Sequence, residues 1–156
     1  MAKDVKNVFI SHVHEDDEGL ADLKELADKN GLQVRDYSVT SEKPNKAKDP
    51  EYIKQKLASL IDAASTMVVY VSPDTKTSEW VDWEVEYANK QGKRIVGVWE
   101  RGANQCEIPE ALQRYGDAMV GWNGESIVDA ITGESNEWFG VDGKSQGYRP
   151  IKRYKC

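Results

Sequence analysis

The stretch Thr66-Met67-Val68-Val69-Tyr70-Val71-Ser72 is the most apolar run in the chain. Apolar residues on consecutive rather than alternate positions are what a strand needs when both its faces are covered, the condition of a central strand in a parallel sheet. Pro73 ends it. Upstream, Val8-Phe9-Ile10 has the same character, and downstream Ile95-Val96-Gly97-Val98-Trp99 repeats it. The segments between these runs have helical spacing. Residues 15–30 put Leu20, Leu23, Leu26 and Ala27 on one side and finish on Asn30-Gly31, where a left-handed helix cap belongs. Asp49-Pro50 reads as an N-cap followed by proline at the first helical position, with Ile53, Leu57, Leu60 and Ile61 as the buried stripe. Residues 32–37 alternate, which suits an edge strand.

Past Glu100 come a short helix opened by Pro109, a strand over 117–122 and a last helix over 125–131. The 156 residues suffice for one domain with a real core, expected to span 1–132. Residues 133–156 carry scattered Gly and Pro and read as an irregular C-terminal tail, pinned in part by Trp138, Phe139 and Tyr148. Alternating strands and helices imply right-handed crossovers. The expected fold class is therefore α/β, a flavodoxin-like three-layer fold with a five-stranded parallel sheet in the order 2-1-3-4-5. Ligands in such sheets bind at the carboxyl ends of the strands, near the switch between strands one and three. Three segments emerge there: the loop after strand one, the polar loop over 38–49, and the region of Ser78.

That region reads Ser78-Glu79-Trp80-Val81-Asp82-Trp83-Glu84-Val85-Glu86-Tyr87. Ser78 is a good N-cap, and acidic residues follow near the positive end of the helix. Trp80 and Glu84, four residues apart, share a face, while Val81, Val85 and Ala88 form an apolar stripe one step round. The pair has two readings: Trp80 as a core anchor with Glu84 as a solvated charge, or an aromatic plate and a carboxylate projecting together into a cleft.

The loop after strand one, Ser11-His12-Val13-His14-Glu15-Asp16-Asp17, contains both histidines of the chain. Its H-x-H-x-D core matches part of the zinc motif of metallo-β-lactamase-like hydrolases. That reading fails because Asp17 stands where the motif needs histidine and no other histidine exists to complete a site. No G-x-G-x-x-G occurs, and the triplet Gly143-Lys144-Ser145 has Trp138 where a P-loop needs its first glycine, so a Rossmann fingerprint and a P-loop are both excluded. Strand three ends without the aspartate of a response regulator. Cys106 and Cys156 form neither a disulfide framework nor a metal-ligand pair, and no apolar run approaches membrane-spanning length. A cytoplasmic protein without membrane attachment is expected. The formal charge of −6 disfavours nucleic acid as a partner. The terminal cluster of Arg149, Lys152, Arg153 and Lys155 with Tyr148 and Tyr154 reads as a solvated tail.

The frame S-x-W-x-x-x-E at Ser78, Trp80 and Glu84, placed after the 66–72 strand, resembles the Toll/interleukin-1 receptor (TIR) domain segment that carries the NAD-cleaving glutamate. The likeness covers roughly residues 5–131 and extends to stand-alone bacterial TIR-like proteins, including those of the Thoeris anti-phage system. It implies that Glu84 is catalytic and that Trp80 offers an aromatic face to the substrate. It also implies that Ser11, His12 and His14 line the ribose and phosphate path while Ser38 gates access. NAD would be the substrate, with no cofactor and no metal, and the product a linear, cyclic or conjugated ADP-ribose that activates a separate effector protein. Self-association is a further implied property. Two departures stand out: Val81 replaces a cysteine common in TIR domains, and no R-D-x-x-P-G box follows strand two. A non-catalytic TIR-like adaptor and a nucleoside deoxyribosyltransferase-like enzyme are the alternative readings.

Overall fold

A computed structural model describes residues 4–12, 17–36, 50–73, 75–102, 107–140 and 145–148. His14, Ser38, the rest of the 38–49 loop, Cys106, and the basic cluster from Arg149 to Lys155 lie outside them. Along the chain run β1 (Asp4–Ser11), α1 (Asp17–Lys29), β2 (Leu32–Asp36), α2 (Pro50–Ala63), β3 (Thr66–Val71), α3 (Glu79–Lys90) and β4 (Arg94–Trp99). Then follow α4 (Glu110–Tyr115), β5 (Ala118–Val120), α5 (Gly124–Thr132), β6 (Glu137–Phe139) and β7 (Ser145–Tyr148).

All six residues of β3 are buried, as consecutive apolar positions require. Its side chains alternate between two cores. Met67, Val69 and Val71 join Phe9, Ile95, Trp99 and Met119 beneath α2, α3 and α4. Val68 and Tyr70 join Val8, Ile10, Val96, Val98, Ala118 and Val120 beneath α1 and α5. Packing is close at Gly97, where a Cβ would collide with the sulfur of Met119 and sit 2.9 Å from Leu112 Cδ2. A side chain there would force Met119 and Leu112 to shift. β2 alternates buried and exposed residues at the sheet edge, and Gly31, with φ of 90°, ends α1 in the left-handed conformation that glycine allows.

The sheet order is β2-β1-β3-β4-β5-β6-β7. The flavodoxin-like order 2-1-3-4-5 is present, but the sheet is larger than five strands: β6 adds a sixth parallel strand and β7 an antiparallel seventh. Both come from the stretch expected to be irregular. Trp138 is 6% exposed and enters the α2–α4 core, where it lies against Gly116, and Trp99 Nε1 donates to the Phe139 carbonyl at 3.0 Å. Arg94 secures the approach to β6, donating to the carbonyls of Ala130 and Ser135 at 2.7 Å each. A three-residue strand with a single fully buried side chain carries no readable period, so its pairing is decided by the open edge of β5. Among the described residues no helix is long and apolar enough to cross a membrane.

If Trp138 closes the core, Trp138→Ala should cost about 3 kcal/mol or more, the scale of a large buried aromatic, measured by urea unfolding. A loss of only a few tenths would instead mark residues 133–156 as an appended tail.

Candidate functional site

The route from β3 to α3 is set by small hydroxyl residues. Thr75, fully buried, accepts from the Ser72 amide at 2.9 Å and donates to the Tyr70 carbonyl at 3.2 Å, closing a turn that continues as a short 3-10 helix over Thr75–Thr77. Ser78 then caps α3, its Oγ accepting from the Val81 amide at 3.2 Å. Glu79 and Asp82 occupy the first turn, where the helix dipole favours negative charge. Val81, Val85 and Ala88 lock the rotation of the helix by filling the core beneath it.

That rotation decides where the two candidate residues go. Glu84 is four-fifths of a turn from Val81 and falls at the inner margin of the helix, only 7% exposed. Its Oε1 accepts a hydrogen bond of 2.7 Å from Ser11 Oγ, at the carboxyl end of β1. Ser11 is 1% exposed, and it faces α3 because it lies two residues beyond Phe9 and pairs with Val69, both of the α3-side core. Trp80 is 41% exposed. It is no core anchor, and Glu84 is no solvated charge; the bland reading of the pair is reversed for both residues. Nor does Glu84 project into an open cleft beside Trp80, since it is enclosed. Burial pushes its carboxyl up to about 8, with the Ser11 hydroxyl pulling it back down.

Trp80 leads an aromatic file along α3. Its ring meets Trp83 edge to face at 6.4 Å, and Trp83 stacks on Tyr87 at 5.5 Å. Lys54 of α2 places its ammonium 5.8 Å from the Trp83 ring centre, and the Tyr87 hydroxyl donates to Asp62 at 3.0 Å. The spacing 80, 83, 87 is a legible helical signal for this file, but only packing shows that it faces α2. His12 is half-buried with Nδ1 at 2.8 Å from the Ile10 carbonyl, folded back on its own strand. The structure thus brings together Ser11 and Glu84, with His12 beside Ser11 in the chain and Trp80 one turn before Glu84. Thr75, which positions α3, is a residue that sequence reasoning missed; its signal is the Ser72-Pro73-x-Thr75 turn. A groove of about 220 Å³ lies elsewhere, lined by Asp22, Glu25, Leu26, Lys29, Arg101 and Trp122, and touches none of these residues.

Residues 9–105 match the family described as Thoeris protein ThsB, TIR-like domain. Among solved structures, the chain is similar to a conserved protein from Enterococcus faecalis V583, at 13% identity over 83% of this chain and 99% of that one, with a TM-score of 0.57. It is also similar to the TIR domain of the Toll-related receptor TRR-2 from Hydra magnipapillata, at 15% identity over 81% and 92%, TM-score 0.52. These share its fold. The CMP N-glycosidase BcmB from Clostridium botulinum aligns more loosely, at 18% identity over 78% and 92%, TM-score 0.46. No curated protein matches the chain significantly.

An enclosed Glu84 has a consequence for stability. Between about pH 4.5 and 8 the folded protein holds the Glu84 proton more tightly than the unfolded chain does, so its contribution to stability is full below 4.5 and lost as pH rises through 8. Glu84→Gln removes this titration. Melting temperatures of the two proteins from pH 5 to 9 should therefore diverge, the variant gaining on the native protein as pH rises. Parallel curves would show that Glu84 does not titrate as a buried group.

Proposed function

Since the chain belongs to the TIR-like domain family of the Thoeris protein ThsB, we propose that it cleaves the bond between nicotinamide and ribose in NAD, making an ADP-ribose-derived signalling nucleotide in bacterial anti-phage defence. The observation that carries this reading is the Ser11–Glu84 pair, a carboxyl group enclosed at the carboxyl ends of the central strands. Burying a carboxyl among apolar groups costs stability, and carboxyls kept in such places commonly serve chemistry. An adaptor working through surface loops has no use for one.

In the reaction the C1′–N bond breaks with both electrons passing to the nicotinamide ring, whose positive charge is thereby neutralised. Nicotinamide leaves without an acid, and positive charge develops over C1′ and O4′ of the ribose, as in glycoside hydrolysis. Glu84, ionised, stabilises that charge. In a site largely closed to water the attraction is far stronger than in solution, and the carboxylate is already in place when the charge appears. The cationic nicotinamide of bound NAD favours ionised Glu84, because a positive neighbour lowers a carboxyl pKa. Trp80 offers its exposed ring as a stacking face for one ring of the dinucleotide. His12, and outside the described residues His14 and Ser38, are assigned to the path of the ribose and phosphates.

Attack by water on C1′ gives ADP-ribose and releases a proton. Attack by the substrate's own adenosine closes a cyclic isomer, and a different acceptor gives a conjugate. The product passes to a separate effector protein. Self-association is assigned the role of completing the site in the assembled state.

Purified protein incubated with NAD should release nicotinamide, resolved by chromatography, and Glu84→Gln should lower turnover at least about 100-fold, the scale of losing one key electrostatic stabiliser. Because the ionised form acts, kcat/KM should climb roughly tenfold per pH unit below the Glu84 pKa of about 8 and level off above it. Specific activity that rises with protein concentration would mark self-association as the trigger. Cleavage of deoxynucleosides in place of NAD would establish the deoxyribosyltransferase reading, and full turnover by a folded Glu84→Gln protein would remove Glu84 from the mechanism.

A further inference from the structure

We propose that Ser11 is a positioning residue for Glu84, anchoring Oε1 so that Oε2 is the oxygen presented to the substrate's ribose hydroxyls. The proposal rests on the NAD-cleaving reading of Glu84, and it differs from the expectation that Ser11 lines the substrate path. Ser11 is 1% exposed, and its hydroxyl is spent on Glu84 at 2.7 Å, so it has little surface to offer a ligand. Oε2 takes no hydrogen bond from any described residue.

Anchoring matters because a glutamate has three side-chain torsions to settle, and a misplacement of about 1 Å costs roughly a hundredfold in rate. Helix α3 fixes only the Cα and Cβ. Ser11 fixes the far end, and it does so from a different element: the last residue of β1, held by pairing with Val69 of β3. The carboxyl is thus tied at one end to α3 and at the other to the sheet.

Among the described residues no charged group competes with Ser11 for this task. On α3 itself, Asp82 accepts from the Ala111 amide at 3.3 Å. On α2, Lys54 lies over Trp83 and Asp62 takes the Tyr87 hydroxyl. On α4, Arg114 and Glu110 pair with each other at 2.9 Å, and on β1 the His12 ring turns to the Ile10 carbonyl. Burial and the Ser11 hydroxyl are the causes that act on the Glu84 carboxyl.

The test compares Ser11→Ala, Ser11→Thr and Ser11→Cys with the native protein, reading kcat and KM for NAD separately across pH 6 to 10. Loss of the anchor should lower kcat roughly ten- to a hundredfold with KM nearly unchanged. It should also move the rising limb of kcat/KM upward by about one pH unit, the scale of one hydrogen bond to a charged oxygen. Ser11→Thr keeps the hydroxyl and should restore most of both. A raised KM with the limb in place would make Ser11 a substrate contact and overturn the proposal, as would a general loss of activity tracking a lowered melting temperature. If Ser11→Ala does not fold, Ser11→Cys, nearly the same size with a weaker donor, should show the same limb shift in smaller measure. Titration of the Glu84 side-chain carbon by NMR, assigned by its disappearance in Glu84→Gln, reads the anchor without any turnover. An upward shift of the Glu84 midpoint in Ser11→Ala would sustain the anchor even if Glu84→Gln proved fully active and the NAD reading fell; an unmoved midpoint would refute the anchor alone.

Discussion

The constraint on which the rest of the structure depends is the burial of β1, β3 and β4 on both faces. Their consecutive apolar residues demand cover above and below, and helices connected by right-handed crossovers supply it: α1 and α5 on one side, α2, α3 and α4 on the other. With both faces filled, the middle of the sheet has no room for chemistry. Polar groups are pushed to the strand ends, and the two ends are used differently. At the amino end Asp117 knits the fold, taking the Ile95 amide at 2.9 Å just before β5 begins. At the carboxyl end Ser72 and Thr75 shape the turn that leads to α3, and Ser11 engages Glu84.

The same burial accounts for the electrostatic character of Glu84. Val81, Val85 and Ala88 must face the core, and the helical period then carries Glu84 to the margin of that core whatever its own preference for water. One serine on the facing strand meets part of the cost. A carboxyl held in this way is neutral more readily than an exposed one, and it regains its charge when a cation lies beside it. On the proposed reading, the environment that makes the group costly in the free protein is also what would make it effective against a developing ribosyl cation.

The aromatic file of α3 runs beside Glu84, on the side turned away from Val81 and Val85. Trp83 and Tyr87 are drawn against α2 by stacking, by the Lys54 ammonium and by the hydrogen bond to Asp62, and this leaves Trp80 at the open end of the file. Its exposure goes with its place in the first turn of α3. An enclosed acid and an exposed ring on successive turns of one helix thus arise from a single rotation angle.

The amino-acid sequence by itself determined the central strands, the order of helices between them, the caps at Gly31 and Ser78, and the frame that points to Glu84. These are local features, written in runs, periods and single capping residues over a few positions. It did not determine β6 and β7, because three or four residues carry no period and their pairing depends on the exposed edge of β5. Nor did it decide which of Trp80 and Glu84 is buried, since spacing places both on one face and only the packing of Val81 and Val85 sets the rotation of that face. The bond between Ser11 and Glu84 spans 73 positions in the chain. No local pattern encodes a contact of that separation; it exists because β1 pairs with β3 in one register and α3 packs back across the pair.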